Sequence, residues 1–412
     1  MAQITLPLDI ESLEIISQSV DTEGNIIIEV RSTKCYSTCH KCGKHATKRY
    51  GTAPKLKIRH LPILDTPVYL VIQPIRYQCE HCDDHPTTTE QYDWCDRRAT
   101  VTKGLERYLV RSLIHSTAQD VSRKERISYE TVVSALERQV KQHVDWSEYD
   151  NLETLGIDEI TMKKGYQDYV TIISVRTKSG ELSVIAVLPD RLKETVRAFF
   201  LSFPEELRRT VKAVCTDMYD GFVQAATEVF GTGAVVVDRF HVAQLYRDPL
   251  DALRIKEMAR LKSELPEVEY EELAGMMWIL RKKHECLSQA DKAALEALYK
   301  HSPKLKKAHS YALKLTHIFN TKSSRKAAIA KIDRWIAKVE KSGIKCFNKF
   351  IGTLKKYKSS IANYFKAQKN SGFVEGLNNK IKVAKRRCYG FFKIASLFQR
   401  LQLDLMGFRK YA

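Results

Sequence analysis

The stretch VKAVCTDMYDGFVQAATEVFGTGAVVVDRFH, residues 211–241, decides the fold. It opens on a short apolar run that ends at Asp217, continues as a helix over MYDGFVQAATEVF, and returns to a β-branched run, GAVVVDRF, that passes through Asp238. Upstream stand three more strand-like runs, TLGIDEITM, DYVTIISVRT and GELSVIAVLPD, and then an amphipathic helix, RLKETVRAFFLSF. Three strands in succession followed by alternating helix and strand predict a mixed sheet with helices packed against it. Asp158, in TLGIDE, and Asp217 then both fall at strand ends.

Outward from this core the patterns change. From His241 to about Gln368 the chain reads as helical and increasingly basic, with no strand signal. Two last helices, around 371–387 and 391–407, are separated by Gly390. On the other side, residues 1–95 read as short strands and turns around two cysteine pairs, and 97–146 as helical. Within the latter, AQDVSRKERISYETVVSALERQV resembles a helix-turn-helix, with a break near Ile127 and Ser128 and a second helix that Ser128 caps. The fold class expected is multidomain α+β. Its parts are a zinc-ribbon-like region over 1–96, a helix-turn-helix over 97–150, a first core part over 151–241, a helical insertion over 242–368, and last core helices over 369–412.

The charge is unevenly spread. Residues 1–150 hold 20 basic and 21 acidic groups (net −1), 151–245 hold 11 and 13 (−2), 246–297 hold 9 and 11 (−2), and 298–412 hold 28 and 4 (+24). A basic block interleaved with Tyr and Phe, as in KKYKSSIANYFKAQK, is what a phosphate backbone selects, because each neutralised phosphate releases counterions. Double-stranded DNA is therefore the expected partner. The near-neutral front half leaves affinity to the carboxy-terminal half and specificity to the front module. There, the helix over 128–140 offers Ser128, Tyr129, Thr131, Arg138 and Lys141 as readers of the major groove. In the basic run KIKVAKRR, Lys380, Lys382, Lys385, Arg386 and Arg387 are expected on DNA. No apolar run approaches the roughly 18 residues of a membrane span, and MAQITLPLDIESLE lacks a basic and apolar leader. A soluble cytoplasmic protein without membrane partners is expected.

Two chemistries are marked by residue type. Cys39-x-x-Cys42 and Cys79-x-x-Cys82 are separated by 36 residues of β-like sequence, and two such knuckles supply the four soft ligands of a tetrahedral structural Zn(II). Cys35, His40, His45, His81, His85 and Cys95 are rival ligands. The second marker is a set of carboxylates. Paired metal ions roughly 3.5–4 Å apart in phosphoryl chemistry need acidic oxygens to bridge and flank them. Asp158 and Asp217 are candidates, with Glu159, Asp168 and Asp220 as rivals. Glu375 is the third: between Lys341 and Leu403 it is the single acid among fifteen Lys and Arg.

At these residues the blocks GIDE, CTDMYDGF, VVVDRFHV and VEGLNNKIKVAKRRCYGFFKIASLFQR resemble the signatures of bacterial insertion-sequence transposases of the ISL3 family, in the DDE superfamily. The resemblance covers nearly the whole chain. It implies an RNase H-like core with the triad Asp158, Asp217 and Glu375, Mg(II) or Mn(II) as cofactor, and the helical insertion filling the gap between the second and third acids. It implies a homo-oligomer, a dimer on DNA, in the bacterial cytoplasm at the nucleoid. That assembly would bind terminal inverted repeats, cleave the phosphodiester at the element ends and join the 3′-hydroxyls to target DNA. Asp238 and His241 resemble a D/C-x-x-H element that orients the catalytic aspartate or contacts DNA; an ordinary buried hydrogen-bonding pair is the other reading. Trp278, in EELAGMMWILRKK, has the spacing of a helix core, although an aromatic of the insertion stacks on an extruded base in related enzymes. A DNA-binding regulator with a dead site and a metal-dependent nuclease without strand transfer are the alternatives.

Overall fold

The computed structural model describes residues 7–162, 169–367, 372–388 and 393–411. The chain forms two compact units, Met1–Gln142 with Gln402–Ala412, and His143–Leu401. None of the described helices is long and apolar enough to cross a membrane.

In the first unit, β1 (Leu13–Val20), β2 (Ile26–Ser32), β3 (Leu56–Ile63) and β4 (Thr66–Ile72) make one sheet in the order β1-β2-β4-β3. Val68, Leu70 and Ile72 alternate into a core with Ile28, Val30, Ile58 and Trp94, the period of two expected of a half-buried strand. Two smaller sheets follow, a hairpin of Ser37–Thr38 with His45–Ala46 and a three-stranded sheet of Lys48–Thr52, Ile75–Gln78 and Thr87–Thr89. Three helices complete this part: α1 (Lys103–Ser112), α2 (Ala118–Glu125) and α3 (Tyr129–Gln139). Each is capped by the hydroxyl before it, Thr102, Thr117 and Ser128, which accepts an otherwise orphaned N–H of the first turn. Between α2 and α3 the chain turns at Arg126, which takes the left-handed conformation (φ 50°, ψ 49°). Leu105, Leu109, Val121, Val132 and Ala135 form the core of the three helices.

The second unit is built on a five-stranded sheet. β5 (Thr154–Thr161), β6 (Tyr169–Arg176), β7 (Leu182–Leu188), β8 (Ala213–Thr216) and β9 (Val235–Val237) lie in the order β7-β6-β5-β8-β9. The first three pair antiparallel; β8 joins β5 parallel and β9 joins β8 parallel. The mixed sheet expected from the strand–helix–strand pattern is the one formed. The helices α4 (Lys193–Leu201) and α5 (Asp220–Phe230) cover it, burying Phe200, Phe203 and Phe222 with Leu155, Ile157 and Val214.

After the sheet, the described chain is helical through α6 (Arg239–Glu264), α7 (Gln289–His301), α8 (Pro303–Asn320), α9 (Arg325–Lys341) and α10 (Asn348–Ala367), with shorter turns between α6 and α7. The return to the sheet is made by Asn363. Its amide donates to the carbonyls of Thr232 and Val235, each at 2.8 Å, and accepts from Arg325 Nε at 2.9 Å, so α10 lies along the edge strand β9. The next helix, α11 (Gly372–Arg387), packs on β5, and α12 (Ile394–Tyr411) ends the chain, its turns from Gln402 belonging to the first unit.

One expectation is corrected here. Trp278 is not a core residue: it is 63% exposed, with the Arg281 guanidinium 5.9 Å from its ring. Gly275, at φ 75°, breaks the helix that the spacing assumed, and the four-residue helix Met276–Ile279 buries Met276 and Ile279 instead.

Candidate functional site

The register of the sheet brings the carboxylates together. Gly156 pairs with Cys215 and Thr216 with Val237 across parallel neighbours. Two residues on from the first pair come Asp158 and Asp217; one on from the second come Asp217 and Asp238. Asp217 and Asp238 follow the last residues of β8 and β9, but Asp158 is not at a strand end as expected: it lies inside β5, whose pairing with β6 carries the strand on to Thr161. Gly156 is what admits the next element. A Cβ there would stand 2.5 Å from Val374 Cγ2 and 2.5 Å from Ser174 Oγ, so only glycine lets the first turn of α11 lie flush on β5. Glu375 follows Val374 on that helix; its side chain lies outside the described residues, as does the rival Asp168.

Asp158 Oδ1 accepts the N–H of Glu159 at 2.7 Å, and its Oδ2 accepts the side-chain amide of Asn378. Burial, with the Asp217 charge adding to it, pushes the Asp158 carboxyl above the ordinary carboxylate range, while the Glu159 N–H, His241 and Asn378 pull the other way. Asp217 Oδ1 accepts from the N–H of Tyr219 at 3.0 Å. The rivals are engaged elsewhere: Glu159 pairs with Arg191 at 3.2 Å, and Asp220 is held by Lys356 and Tyr357. Asp238 caps α6 by accepting the Phe240 N–H at 2.8 Å, and His241 Nε2 stands 3.9 Å from its other oxygen.

Asn378 is the residue that pattern reading missed. It is 7% exposed, and its Oδ1 has no hydrogen-bond partner among the described residues. A buried amide oxygen left unpaired costs about 1–3 kcal/mol. Two carboxylates and an amide oxygen are hard donors, the set that Mg(II) or Mn(II) takes. A signal existed: Val374, Leu377, Ile381 and Ala384 are the apolar stripe of α11, and Asn378 interrupts it at a buried position.

An isolated aspartate raised by burial contributes stability in full below its unfolded pKa and loses it as pH rises through the folded value. In the metal-free protein, Asp158→Asn is expected to raise stability at neutral pH by about 1 kcal/mol, the scale typical of relieving a functional site. Urea melts of both proteins at pH 7 and at a pH below the ordinary aspartate pKa of about 3.9 check this: the advantage of the variant should shrink on acidification, and added Mn(II) at pH 7 should stabilise the parent more.

The four cysteines form a second constellation. Cys39 and Cys42 sit in the turn of the first small hairpin, Cys79 and Cys82 in the turn between Ile75–Gln78 and Thr87–Thr89. Their sulfurs lie within 4.8 Å of one another, with Cys42 to Cys79 at 3.6 Å and Cys79 to Cys82 at 3.8 Å. A tetrahedral ion with Zn–S bonds of about 2.3 Å needs sulfur–sulfur edges of about 3.8 Å. Each knuckle aims an N–H at its first sulfur, Lys41 to Cys39 and His81 to Cys79, both at 3.4 Å. The backbone N–H groups of Cys42 and then Lys41 pull the Cys39 thiol down to about 7, while the neighbouring Cys42 thiol and burial push Cys82 up to about 12. Among the rivals, His40 bonds Thr88, His45 stacks on Tyr36, His85 bonds the Cys79 carbonyl, and Cys95 donates to the Val101 carbonyl.

In the helix-turn-helix, Ser128 is committed to its cap and Thr131 Oγ1 bonds the Ser128 hydroxyl at 2.9 Å, while Tyr129 is exposed. Arg138 is bound within the fold: its Nε donates at 2.8 Å to Glu106, which is 1% exposed. Breaking such a pair leaves a buried charge, so Arg138→Ala should cost about 3 kcal/mol in a urea melt. A residue used for DNA alone would leave the melt unchanged. On α11, Lys380, Lys382 and Arg386 are exposed, Arg387 is half-buried, and Lys385 donates to the Thr161 carbonyl, burial pushing its pKa down.

Two stretches of the chain match known families. Residues 155–401 match a family described as a transposase, of the DDE type in ISL3 elements, and residues 90–140 match the helix-turn-helix domain of transposase family ISL3. The transposase for insertion sequence element IS1001 of Bordetella parapertussis is 26% identical, covering 94% of this chain and 93% of that protein. The transposase for IS1557 of Mycobacterium tuberculosis H37Rv is 25% identical, covering 97% and 93%. Among solved structures, the Drosophila P element transposase strand transfer complex aligns at 14% identity with a TM-score of 0.42, over 75% of this chain and 93% of that one. With the family match spanning more than half of its length, the chain belongs to the ISL3 family of DDE transposases.

Proposed function

We propose that this transposase binds the terminal inverted repeats of its insertion sequence, hydrolyses the phosphodiester at each end, and joins the freed 3′-hydroxyls to target DNA. The observation that carries this reading is the nearness of Asp158, within β5, to Asp217, which follows the last residue of the parallel neighbour β8, together with the buried, unpartnered amide oxygen of Asn378, whose amide nitrogen bonds Asp158. Asp158 and Asp217, with Glu375 from α11, would hold Mg(II) or Mn(II), with Asn378 as a further donor. Divalent cations there supply a Lewis acid for the attacking oxygen and for the leaving one. In the first step water adds to phosphorus and the strand leaves with a 3′-hydroxyl. In the second, that 3′-oxygen displaces a 3′-oxygen of the target in line. One phosphodiester replaces another, so no protein-bound intermediate is needed.

The remaining parts take supporting roles. Strand order β7-β6-β5-β8-β9, three antiparallel and two parallel, supports an RNase H-like core over 151–241 and 369–412, with 242–368 as its insertion. The cysteine cluster supports a zinc ribbon over 1–96 that holds a structural Zn(II). The region 97–150 presents α3 to the major groove, with Ser128, Tyr129, Thr131 and Arg138 nearest the bases. Lys380, Lys382, Lys385, Arg386 and Arg387 serve the phosphates. Asp238 fixes the start of α6 and so the place of His241 beside Asp158. Exposed Trp278 is free to stack on an unpaired base. The enzyme acts as a dimer on DNA at the bacterial nucleoid. The test is a nicking and strand-transfer assay on DNA bearing the element end: joined product with Mg(II) or Mn(II) supports the reading. Nicking without joining indicates a nuclease, and binding without nicking a regulator.

A further inference from the structure

The helices after the sheet carry a groove that none of these steps uses. It lies between α8 and α9, with Tyr299 of α7 at its side, and encloses about 750 Å³, within the roughly 300–1,000 Å³ range of ligand sites. Its character comes from the spacing of two helices. On α8, Leu305, Ala308, Ala312, Leu315 and Phe319 are buried, which leaves 306, 310, 313, 314 and 317 together on a neighbouring face. On α9, Ala328, Ile332, Trp335, Ile336 and Val339 are buried, which leaves 331, 334 and 338 together. Lys306, Lys314, Lys331, Arg334 and Lys338 therefore rim the groove, and its lining holds no acidic side chain.

The acids of α9 face away from it. Asp333 pairs with Lys358 at 2.8 Å and Glu340 with Lys355 at 2.7 Å, both on α10. The rim cations have no carboxylate partner among the described residues; Lys306 and Lys314 instead stand over the rings of Tyr299 and Tyr311, at 5.6 and 5.5 Å. Five unneutralised charges around one groove repel each other and focus a field that draws an anion. The floor has a different demand. It is apolar, made by Leu313, which is 42% exposed, with Ile318 and the buried Trp335. A duplex shows phosphates on its outside and has no group for such a floor, whereas an unpaired strand offers phosphates and base faces together.

We infer that this groove binds an unpaired DNA strand, phosphates on the rim cations and bases against Leu313 and Ile318. The identity of the polymer rests on the reading of the chain as a DNA-joining enzyme; the groove is built from residues separate from the carboxylates.

The test uses full-length protein in chelator, so that no cleavage is required. Fluorescence anisotropy measures binding of a short labelled oligothymidine and of a blunt duplex over a range of salt. Lys314→Glu with Arg334→Glu should weaken oligothymidine binding by about tenfold or more. It should also flatten the salt dependence by roughly 1.4, about 0.7 for each phosphate that is no longer neutralised. Leu313→Gln should weaken binding without changing that slope. The duplex should bind each variant as it binds the parent. Lys314→Gln with Arg334→Gln, a milder change, should move oligothymidine binding in the same direction and guards against misfolding. Unchanged oligothymidine binding in both double variants overturns the inference. So does an equal loss of duplex binding, which marks a duplex track, or a loss of self-association in its place, which marks a protein partner. A failure of the carboxylate reading would instead appear as cleavage surviving substitution of Asp217.

Discussion

Asp217→Asn should abolish end cleavage and strand transfer, lowering both rates by about 10³-fold or more, with affinity for element-end DNA unchanged. The size follows from what the carboxylate is for. A metal ion supplies several kcal/mol of transition-state stabilisation, and each 1.36 kcal/mol is tenfold in rate. The fold should survive, because the one hydrogen bond described for this side chain, from the Tyr219 N–H at 3.0 Å, is made to an oxygen that asparagine keeps. Binding should survive because the basic helices and the helix-turn-helix are untouched. A gel-shift and a single-turnover cleavage assay on the same DNA separate the two properties. Cleavage at the parental rate would remove Asp217 from the site.

The second large effect concerns the other end of the chain. Cys79→Ser should lose the zinc and unfold the two cysteine hairpins. Cys79 is 0% exposed and packs with Tyr77 and Ala46, so the sulfur sits where the small sheets have little other core. Structural zinc binds small domains with about 10–16 kcal/mol of apparent free energy, most of it folding free energy. Loss of one of four ligands should forfeit several kcal/mol of that. Native mass spectrometry should find the zinc in the parent and not in the variant, and limited proteolysis should cut within 35–90 of the variant alone. Cys95→Ser is the control: Cys95 is buried too, but donates to the Val101 carbonyl at 3.5 Å, away from the cluster, and should keep its zinc.

These two sites were legible to different degrees. The cysteine knuckles could be read because a two-residue spacing inside a hairpin turn carries its own geometry, and the cap at Ser128 acts within three residues. The strand–helix–strand core was readable for the same reason: its periodicities are local. Residues brought together by tertiary packing were harder. Asn378 reaches Asp158 across 220 residues of chain; the apolar stripe of α11 marks it as inward-facing, but no local rule says which partner it meets there. Gly156 looks like any strand glycine until Val374 arrives beside it. The tie of Arg138 to Glu106, 32 positions earlier, is likewise invisible until the two helices pack. Trp278 was misjudged because a single left-handed glycine ended the helix that its spacing presupposed. The grouping of the last turns of α12 with the first unit likewise comes from packing, where Leu403 joins the core of α1–α3 and a Cβ on Gly407 would come within 2.9 Å of Ile114.

The central claim is that acids distant in the chain converge on divalent cations. It is tested most directly by crystals of the full-length protein with element-end DNA and Mn(II), using the anomalous scattering of manganese to locate the ion. The account predicts density between the carboxylates of Asp158 and Asp217, at about 2.0–2.2 Å from an oxygen of each, with Glu375 completing the shell. Manganese found only elsewhere, or no manganese in a crystal whose DNA end lies at these strands, would contradict it.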